Sequence, residues 1–369
     1  MKTVKFGSYV KTITPKTKIQ TKKFLESGQY PIISQESGRV NGYWDSSGDV
    51  MHFEKPVIVF GDHTRIIKFI DFDFVAGADG TKILLPPDDI ESKYFYYWML
   101  ANPVEHLGYA RHFRLLKEKW VSIPSLEEQL RVVERLDSAF EKIDEAIELT
   151  ERSKEHVDSL YESEFSKTFI SLNDYGREYI KNIARTGSGG TPNKSHPEYY
   201  KNGTIPWLRS GEVNKKEIIK SEVYINETGL RNSSAKIFPK DSILVAMYGA
   251  TAGQVGILKF EAATNQAVCA IYPDDAVDPE YIYYALLSQK KSLLSQAVGN
   301  AQPNVSQIKI KNLMIPLLPL PMQNEVARKL SAIDELTDGL KKTYEIKRTM
   351  LHSLKQSMLT QAFSQHEVE

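Results

Sequence analysis

VSIPSLEEQLRVVERL, residues 121–136, returns 194 positions later as IPLLPLPMQNEVARKL, residues 315–330, and the register holds without a gap as far as Phe169 and Phe363. Leu126 meets Leu320, Gln129 meets Gln323, Val132 meets Val326 and Leu136 meets Leu330. Further on, Asp144 meets Asp338, Glu151 meets Glu345, Ser159 meets Ser353 and Leu160 meets Leu354. A self-match at a fixed offset marks a duplicated structural unit. Each copy opens on prolines and then runs without them, as a helix requires, because Pro is tolerated at a helix start but not inside it.

The second copy carries a heptad stripe in steps of three and four: Leu330, Ile333, Thr337, Leu340, Tyr344, Lys347, Leu351, Leu354 and Met358. The first keeps it as Leu136, Ala139, Ile143, Ala146, Thr150, Ser153, Val157, Leu160 and Glu164, apolar towards the ends and polar in the middle. Two matching stripes predict mutual packing, with Leu136, Ile143, Val157 and Leu160 facing Leu330, Ile333, Leu340, Leu351 and Leu354. The order domain, helix, domain, helix predicts an antiparallel pair about a pseudo-two-fold axis. At 1.5 Å per residue, a helix of about 40 residues spans roughly 60 Å, the scale of one or two turns of B-DNA.

The rest of the chain fits that frame. A length of 369 residues exceeds one ordinary core, and 41% hydrophobic with 25% charged residues is a globular balance. The expected class is α+β, with mixed α/β domains at 1–120 and 170–314 and coiled-coil connectors at 121–169 and 315–369. No apolar run reaches the 18 to 20 residues of a membrane span and the start lacks a secretory core, so a cytoplasmic protein is expected. The single cysteine, Cys269, excludes an internal disulfide and a thiolate zinc site. Net charge is zero but unevenly spread: residues 1–120 hold 17 basic against 14 acidic side chains and 171–314 hold 17 against 13, while 121–170 hold 6 against 13. That distribution permits nucleic-acid binding by the two domains without demonstrating it.

The domains echo one another in patches. Gly28-Gln-Tyr-Pro-Ile-Ile-Ser-Gln parallels Gly203-Thr-Ile-Pro-Trp-Leu-Arg-Ser, and Pro56-Val-Ile-Val-Phe-Gly-Asp-His-Thr-Arg parallels Ser242-Ile-Leu-Val-Ala-Met-Tyr-Gly-Ala-Thr, each a strand that runs into a loop. Tyr94, Tyr96 and Tyr97 align with Tyr281, Tyr283 and Tyr284 on a helix, where core packing is the expected role. Ahead of each connector lies a polar loop, YARHFRLLK at 109–117 and GNAQPNVS at 299–306, rich in the Arg, Asn and Gln that pair with guanine and adenine edges.

Catalytic signatures are missing. Asn102-Pro103-Val104-Glu105 lacks the aromatic that an adenine-methylating motif places against a flipped base. GSGGTP at 187–192 ends without the Lys-Ser/Thr of a phosphate loop and reads as a turn. His52 and His63 have no partner pattern for a metal. A self-contained methyltransferase or nuclease, and a purely structural coiled-coil scaffold, are the competing readings.

Taken in order, IPSLEEQ (123–129), GSGGTP (187–192), IPWLRSGEV (205–213), GNAQPNVS (299–306) and LLPLPMQ (317–323) make the chain resemble the specificity subunits of type I restriction-modification systems over essentially its whole length. In the first half YPIISQESGRVNGYWD, FGDHTR, FVAGADG and YARHF resemble one class of recognition domain. The resemblance implies a non-enzymatic subunit in which each domain reads half of a split, asymmetric double-stranded DNA target and the helices set the unread spacer. It implies no cofactor in this chain. Two modification subunits would supply S-adenosylmethionine and methylate adenine, and restriction subunits can join them. Glu127-Glu128 becomes Pro321-Met322 in the second copy, so two docking sites there would differ in strength. The expected base readers of the first domain are Gln35, Arg39, His63, Thr64, Arg65, Arg111 and His112, with Arg114 and Lys117 on phosphate. Those of the second are Arg209, Ser210, Asn214, Lys215, Tyr248, Thr251, Asn265, Gln266, Asn300, Gln302 and Asn304.

Overall fold

The computed structural model describes residues 2–108, 110–295 and 305–364. The chain is α+β and divides into two compact units, Met1–Arg152 with Tyr344–Glu369, and Ser153–Thr343. Both divisions fall inside long helices, Leu126–Ser171 and Leu320–Ser364.

In the first unit the strand Val57–Gly61 has every residue buried because it is covered on both faces. Its neighbours run antiparallel in the order Lys11–Ile13, Thr81–Leu85, Val57–Gly61, Ile67–Ile70. Alternation sends Val57 and Val59, with Ile83 of the neighbouring strand, towards a second sheet, where they meet Ile33 and Phe74. Ile58 and Phe60 point the other way, onto Tyr94, Phe95 and Trp98 of the helix Ser92–Ala101. The second sheet has the order Gly42–Trp44, Tyr30–Ile33, Phe74–Ala76, Val50–Met51, and its two central strands are parallel.

The second unit repeats the plan. Ala184–Ser188, Val268–Pro273, Ile243–Ala246 and Val255–Leu258 form the larger sheet, with Glu217–Ile218 added along its outer edge. Tyr224–Ile225, Ile205–Leu208, Ala262–Thr264 and Ile237–Phe238 form the smaller one, again parallel at its centre. The helix Pro279–Ser288 covers Ile243, Val245, Cys269 and Ile271. Burial pushes the Cys269 thiol up to about 12, so it is a packing group and not a nucleophile.

The connectors start later than the sequence suggests. Residues 120–123 form a strand that pairs with Lys2–Lys5, and Met314–Pro316 pairs with Arg177–Tyr179, so each proline-containing approach first closes its own domain. A buried glutamine then locks the helix to that domain. Gln129 accepts from Glu91 N at 2.8 Å and donates to Asp89 O at 2.9 Å, while Gln323 accepts from Asp278 N at 2.9 Å and donates to Leu318 O at 2.7 Å. Glu91 and Asp278 in turn cap the tyrosine-rich helices through Tyr94 N and Tyr281 N.

Within each unit the long helices pack antiparallel. In the first unit Lys355 bonds Asp144 at 2.7 Å and Arg348 bonds Glu151 at 2.9 Å, so the partner falls by seven as the first residue rises by seven. In the second unit Lys341 pairs with Asp158, and Lys329 reaches Thr168 at 3.3 Å. The expected stripe is one residue out at every second position. Leu136, Ile143 and Leu330 are buried, and Ile333 and Leu351 pack onto their unit's core. Val157 is half-buried. Leu160, Leu340 and Leu354, however, are 60%, 37% and 48% exposed. Phe140 and Ile147 take the alternate places in the first helix, and Lys341, Arg348 and Lys355 take them in the second. The physical reason is that a lysine or arginine lays its aliphatic stem along the seam and delivers its charge to a carboxylate on the opposite helix. Lys355 Nζ lies 4.7 Å from the Phe140 ring on the way.

Candidate nucleic-acid interface

In the first unit four polar segments gather at one end of the sheets, because the strands before them are adjacent. Gly77 N donates to Ile33 O at 2.8 Å and Asp62 N to Gly80 O at 2.8 Å. Gln35 ties two of the loops: its Oε1 accepts from His63 N at 3.1 Å and its carbonyl from Thr64 Oγ1 at 2.6 Å. His63 Nδ1 lies 3.2 Å from Ala110 O, which brings the segment bearing Arg111 to the same edge. Thr64 and Arg111 are exposed there, and Arg111 has no hydrogen bond or ion pair to a described residue. Arg114 and Lys117 are exposed on the adjoining helix Phe113–Lys117, with Lys117 Nζ 5.1 Å from the Phe113 ring.

Two expected readers of this unit are turned inward. His112 has no exposed surface: Leu107 N donates to its Nε2 at 3.1 Å, which leaves Nδ1 to donate to Asp62 O at 3.0 Å. Asp62 completes the clasp by accepting from Phe113 N at 2.8 Å. His112 is therefore a loop pin, because a buried ring with both nitrogens engaged has nothing left for a base. Arg65 is half-buried at φ 61°, with Nη1 on Val104 O at 3.2 Å and Nε buried without a partner among the described residues. Arg39 stands further along the loop 34–41, ion-paired to Asp71.

The second unit builds the equivalent edge. Gly190 N donates to Thr264 O, and Asn265 N to Leu208 O, both at 2.9 Å, which sets the loops after three strands side by side. Glycine is needed at 189, since a Cβ there would sit 1.9 Å from Thr264 O; the GSGGTP turn exists for this close approach. Met247 N donates to Ala267 O at 2.8 Å and so brings the loop with Tyr248 and Thr251 alongside. Tyr248 is 39% exposed and Thr251 half-buried in the turn Gly249–Thr251. Arg209 pairs with Glu222 at 2.5 Å and Glu212 at 3.5 Å, with Ser210 half-buried beside it. Asn265 Oδ1 accepts from Ala267 N at 3.2 Å, and Gln266 accepts from the Thr191 hydroxyl. Thr191 is a member of this edge that residue type did not single out. Asn214 and Lys215 are exposed where the chain turns into Glu217–Ile218. Asn300, Gln302 and Asn304 lie outside the described residues.

Among the described residues no three His, Cys, Asp or Glu side chains gather as a metal site, and no helix is long and apolar enough to cross a membrane. What each edge offers is a set of hydrogen-bonding side chains on loops fixed by rigid sheets, the arrangement suited to touching base edges and phosphates.

Comparison with known proteins agrees with that geometry. The chain is 27% identical over 361 residues to the Escherichia coli type I restriction enzyme EcoR124I/EcoR124II specificity subunit, covering 89% of this chain and 86% of that one. It is 33% identical over 193 residues to the MjaIX specificity subunit of Methanocaldococcus jannaschii, covering 50% and 44%. Among solved structures, a chain from work on complex assembly and conformational transition of a type I R-M system matches with TM-score 0.75 at 14% identity, covering 98% of this chain and 97% of that one. The HsdS subunit from Thermoanaerobacter tengcongensis matches with TM-score 0.56 at 15% identity, covering 98% and 96%; both share the fold. The family model of the type I restriction modification DNA specificity domain matches residues 1–158 and 177–348, and the chain belongs to that family.

Proposed function

We propose that residues 1–120 and 170–314 are two target-recognition domains, each reading one half of a split double-stranded DNA sequence through the loop edge described above. The paired helices set the length of the unread spacer between the halves. The observation that carries this reading is the duplication itself: one scaffold occurs twice, with the same strand order and the same glutamine lock, but with unlike side chains on the two loop edges. Equal scaffolds with different edges are what reading two different half-sequences requires.

The chain contributes recognition and no catalytic group, so methyl transfer falls to partners. Two modification subunits bring S-adenosylmethionine and methylate adenine, and restriction subunits can join them for cleavage. Each unit presents apolar side chains where its long helix begins, which suits docking of one modification subunit apiece. In the first these are Trp120, Leu126 and Leu130; in the second, Met314, Leu317 and Leu320. Glu127 and Glu128 are exposed in the first, whereas Met322 packs into the core of the second, so the two contacts differ in charge. Acting on chromosomal DNA places the protein in the cytoplasm.

The test is a genome-wide map of methylated adenines in cells with and without this chain. One bipartite motif should vanish with it; an unchanged map overturns the reading.

A further inference from the structure

Lys68, on the strand Ile67–Ile70, is only 6% exposed, yet no carboxylate among the described residues lies within ion-pair distance of its ammonium. Its Nζ donates to Asn41 Oδ1 at 2.7 Å. That oxygen is already fixed as an acceptor by Ser34 N at 2.8 Å and Ser34 Oγ at 3.0 Å, while Asn41 Nδ2 donates to Ser37 O at 2.8 Å. Three hydrogen bonds thus hold a neutral amide against a buried cation, which solvates the charge without neutralising it. An uncompensated buried charge opposes folding and persists where something outside the chain supplies the opposite sign.

The surroundings say what that is. Lys68 lines an open groove of about 530 Å³ along the outer edge of its sheet, with Arg39, Asp71, Lys93 and Tyr96. The corresponding edge of the second unit is covered by Glu217–Ile218, whereas Ile67–Ile70 is the last strand of its sheet. Of the charged groups facing the groove, Lys93 is paired to Asp137 at 2.7 Å, and Arg39 is held to Asp71 on the rim, both half or more exposed. Glu36 acts on Lys68 only at longer range. Lys68 is the cation left over, and Arg39 is free to leave an exposed, weakly held partner.

We propose that this groove takes a phosphodiester of the DNA backbone, with the Lys68 ammonium as its buried ligand and Arg39 swinging from Asp71 to a second oxygen. The inference rests on the reading of this unit's loop edge as a DNA-contacting surface. Arg39 and Gln35 share the loop 34–41, and Lys68 follows directly on the loop bearing His63 and Thr64, so the phosphate flanks the bases read there. A neutral base edge would leave the Lys68 charge unanswered; a phosphate answers it and has oxygens for both cations. Arg39 becomes a positioning group instead of a base reader.

The test uses the assembled methyltransferase and a duplex carrying its target. Lys68→Met should lower the slope of log affinity against log salt by about 0.9, with an affinity loss on the order of tenfold that is the same for the target and for duplexes altered in the first half-site. Its melting temperature should equal or exceed that of the original chain. One methylphosphonate in the first half-site should weaken the original complex and leave Lys68→Met unaffected, and Arg39→Gln should respond at the same position. An unchanged salt slope, or no methylphosphonate coupled to Lys68, overturns the proposal. So does a changed base preference in Lys68→Met. Inorganic phosphate that stabilises the original chain but not Lys68→Met, with the DNA slope unmoved, would make the groove a free-anion site and overturn it as well. Should the original complex fail to distinguish target from random duplex, the functional reading fails; intact discrimination with an unmoved slope sinks the phosphate inference alone.

Discussion

Arg111 and His112 are neighbours with opposite surroundings, one exposed and without a bond to any described residue, the other sealed between Leu107 N and Asp62 O. They should therefore fail differently. Arg111→Ala is expected to relax selectivity in the first half-site only, by about 1 to 3 kcal/mol if it reads a guanine, with stability unchanged. Competition binding against a panel of half-site variants checks this, and uniform weakening over the panel would make Arg111 a phosphate contact. His112→Ala should instead lower stability by about 1 to 3 kcal/mol, because it empties the space of a fully buried ring and takes the acceptor from Leu107 N, while Asp62 O keeps only the bond from the residue's own backbone N. Lys68 adds a pH signature. Burial lowers it from 10.5 to about 8, so between pH 8 and 10.5 the unfolded chain binds the proton that the folded one has lost, and stability rises with pH in that window. Below pH 8 the full penalty remains, so Lys68→Met should be more stable there by on the order of 2 to 3 kcal/mol, an advantage that shrinks towards pH 10. Denaturant melts at a series of pH values decide it; a constant difference would mean a hidden carboxylate partner. Residue type singled out polar segments, one of them partly the helix Phe113–Lys117, but not which side chains serve the loop itself. Gln35, His112, Arg65 and Asn265 bond backbone or loop groups brought close by folding, and three of those four partnerships join segments far apart in sequence. Lys68 left a trace, a lysine in the apolar run Ile-Ile-Lys-Phe-Ile, but its inward direction depends on which face meets the second sheet.

The helices were legible as elements, and their seam was not, for a reason visible in three positions. Leu340, Lys347 and Leu354 look like seam residues beside Lys341, Arg348 and Lys355, yet the charged set lies at the interface because Asp158, Glu151 and Asp144 stand opposite. A stripe count rewards leucine and cannot see carboxylates some 200 residues away in the chain. The consequence is an inverted mutational pattern. Leu354→Ala and Leu160→Ala should change stability by no more than about 0.5 kcal/mol, whereas Leu136→Ala should cost about 2 to 5 kcal/mol and Phe140→Ala about 3 to 5. Lys355→Ala should fall between them, because the exposed ion pair contributes under about 1 kcal/mol and the stem over Phe140 adds packing. Chemical denaturation of the five variants gives the order, and a large loss at Leu354 would restore the simple stripe. Gln129 and Gln323 show the same limit from the other side: the repeat flagged both, while their partners at Glu91 and Asp278 belong to another helix.

Across the whole molecule, the constant offset between the two copies was enough to give the helices and the doubling, because a duplicated gene segment preserves spacing even after most side chains have changed. The strand order was not legible, since parallel pairing of Tyr30–Ile33 with Phe74–Ala76 joins segments about 40 residues apart. If the helices gauge the spacer, their length has units of base pairs. One heptad added to each is about 10.5 Å, close to three base pairs at 3.4 Å each, and keeps the helix faces in phase. It should lengthen the spacer by about three while leaving both half-sequences intact. Three base pairs also turn one half by roughly 100° about the duplex, because B-DNA repeats every 10 to 10.5 base pairs. Affinity of the one-heptad variant should therefore fall. Three heptads add about 31.5 Å, near nine base pairs and within about an eighth of a full turn, so that longer variant should bind better than the one-heptad form. Mapping methylated adenines for both variants tests the two effects together, and a spacer indifferent to helix length would show that the gauge lies elsewhere.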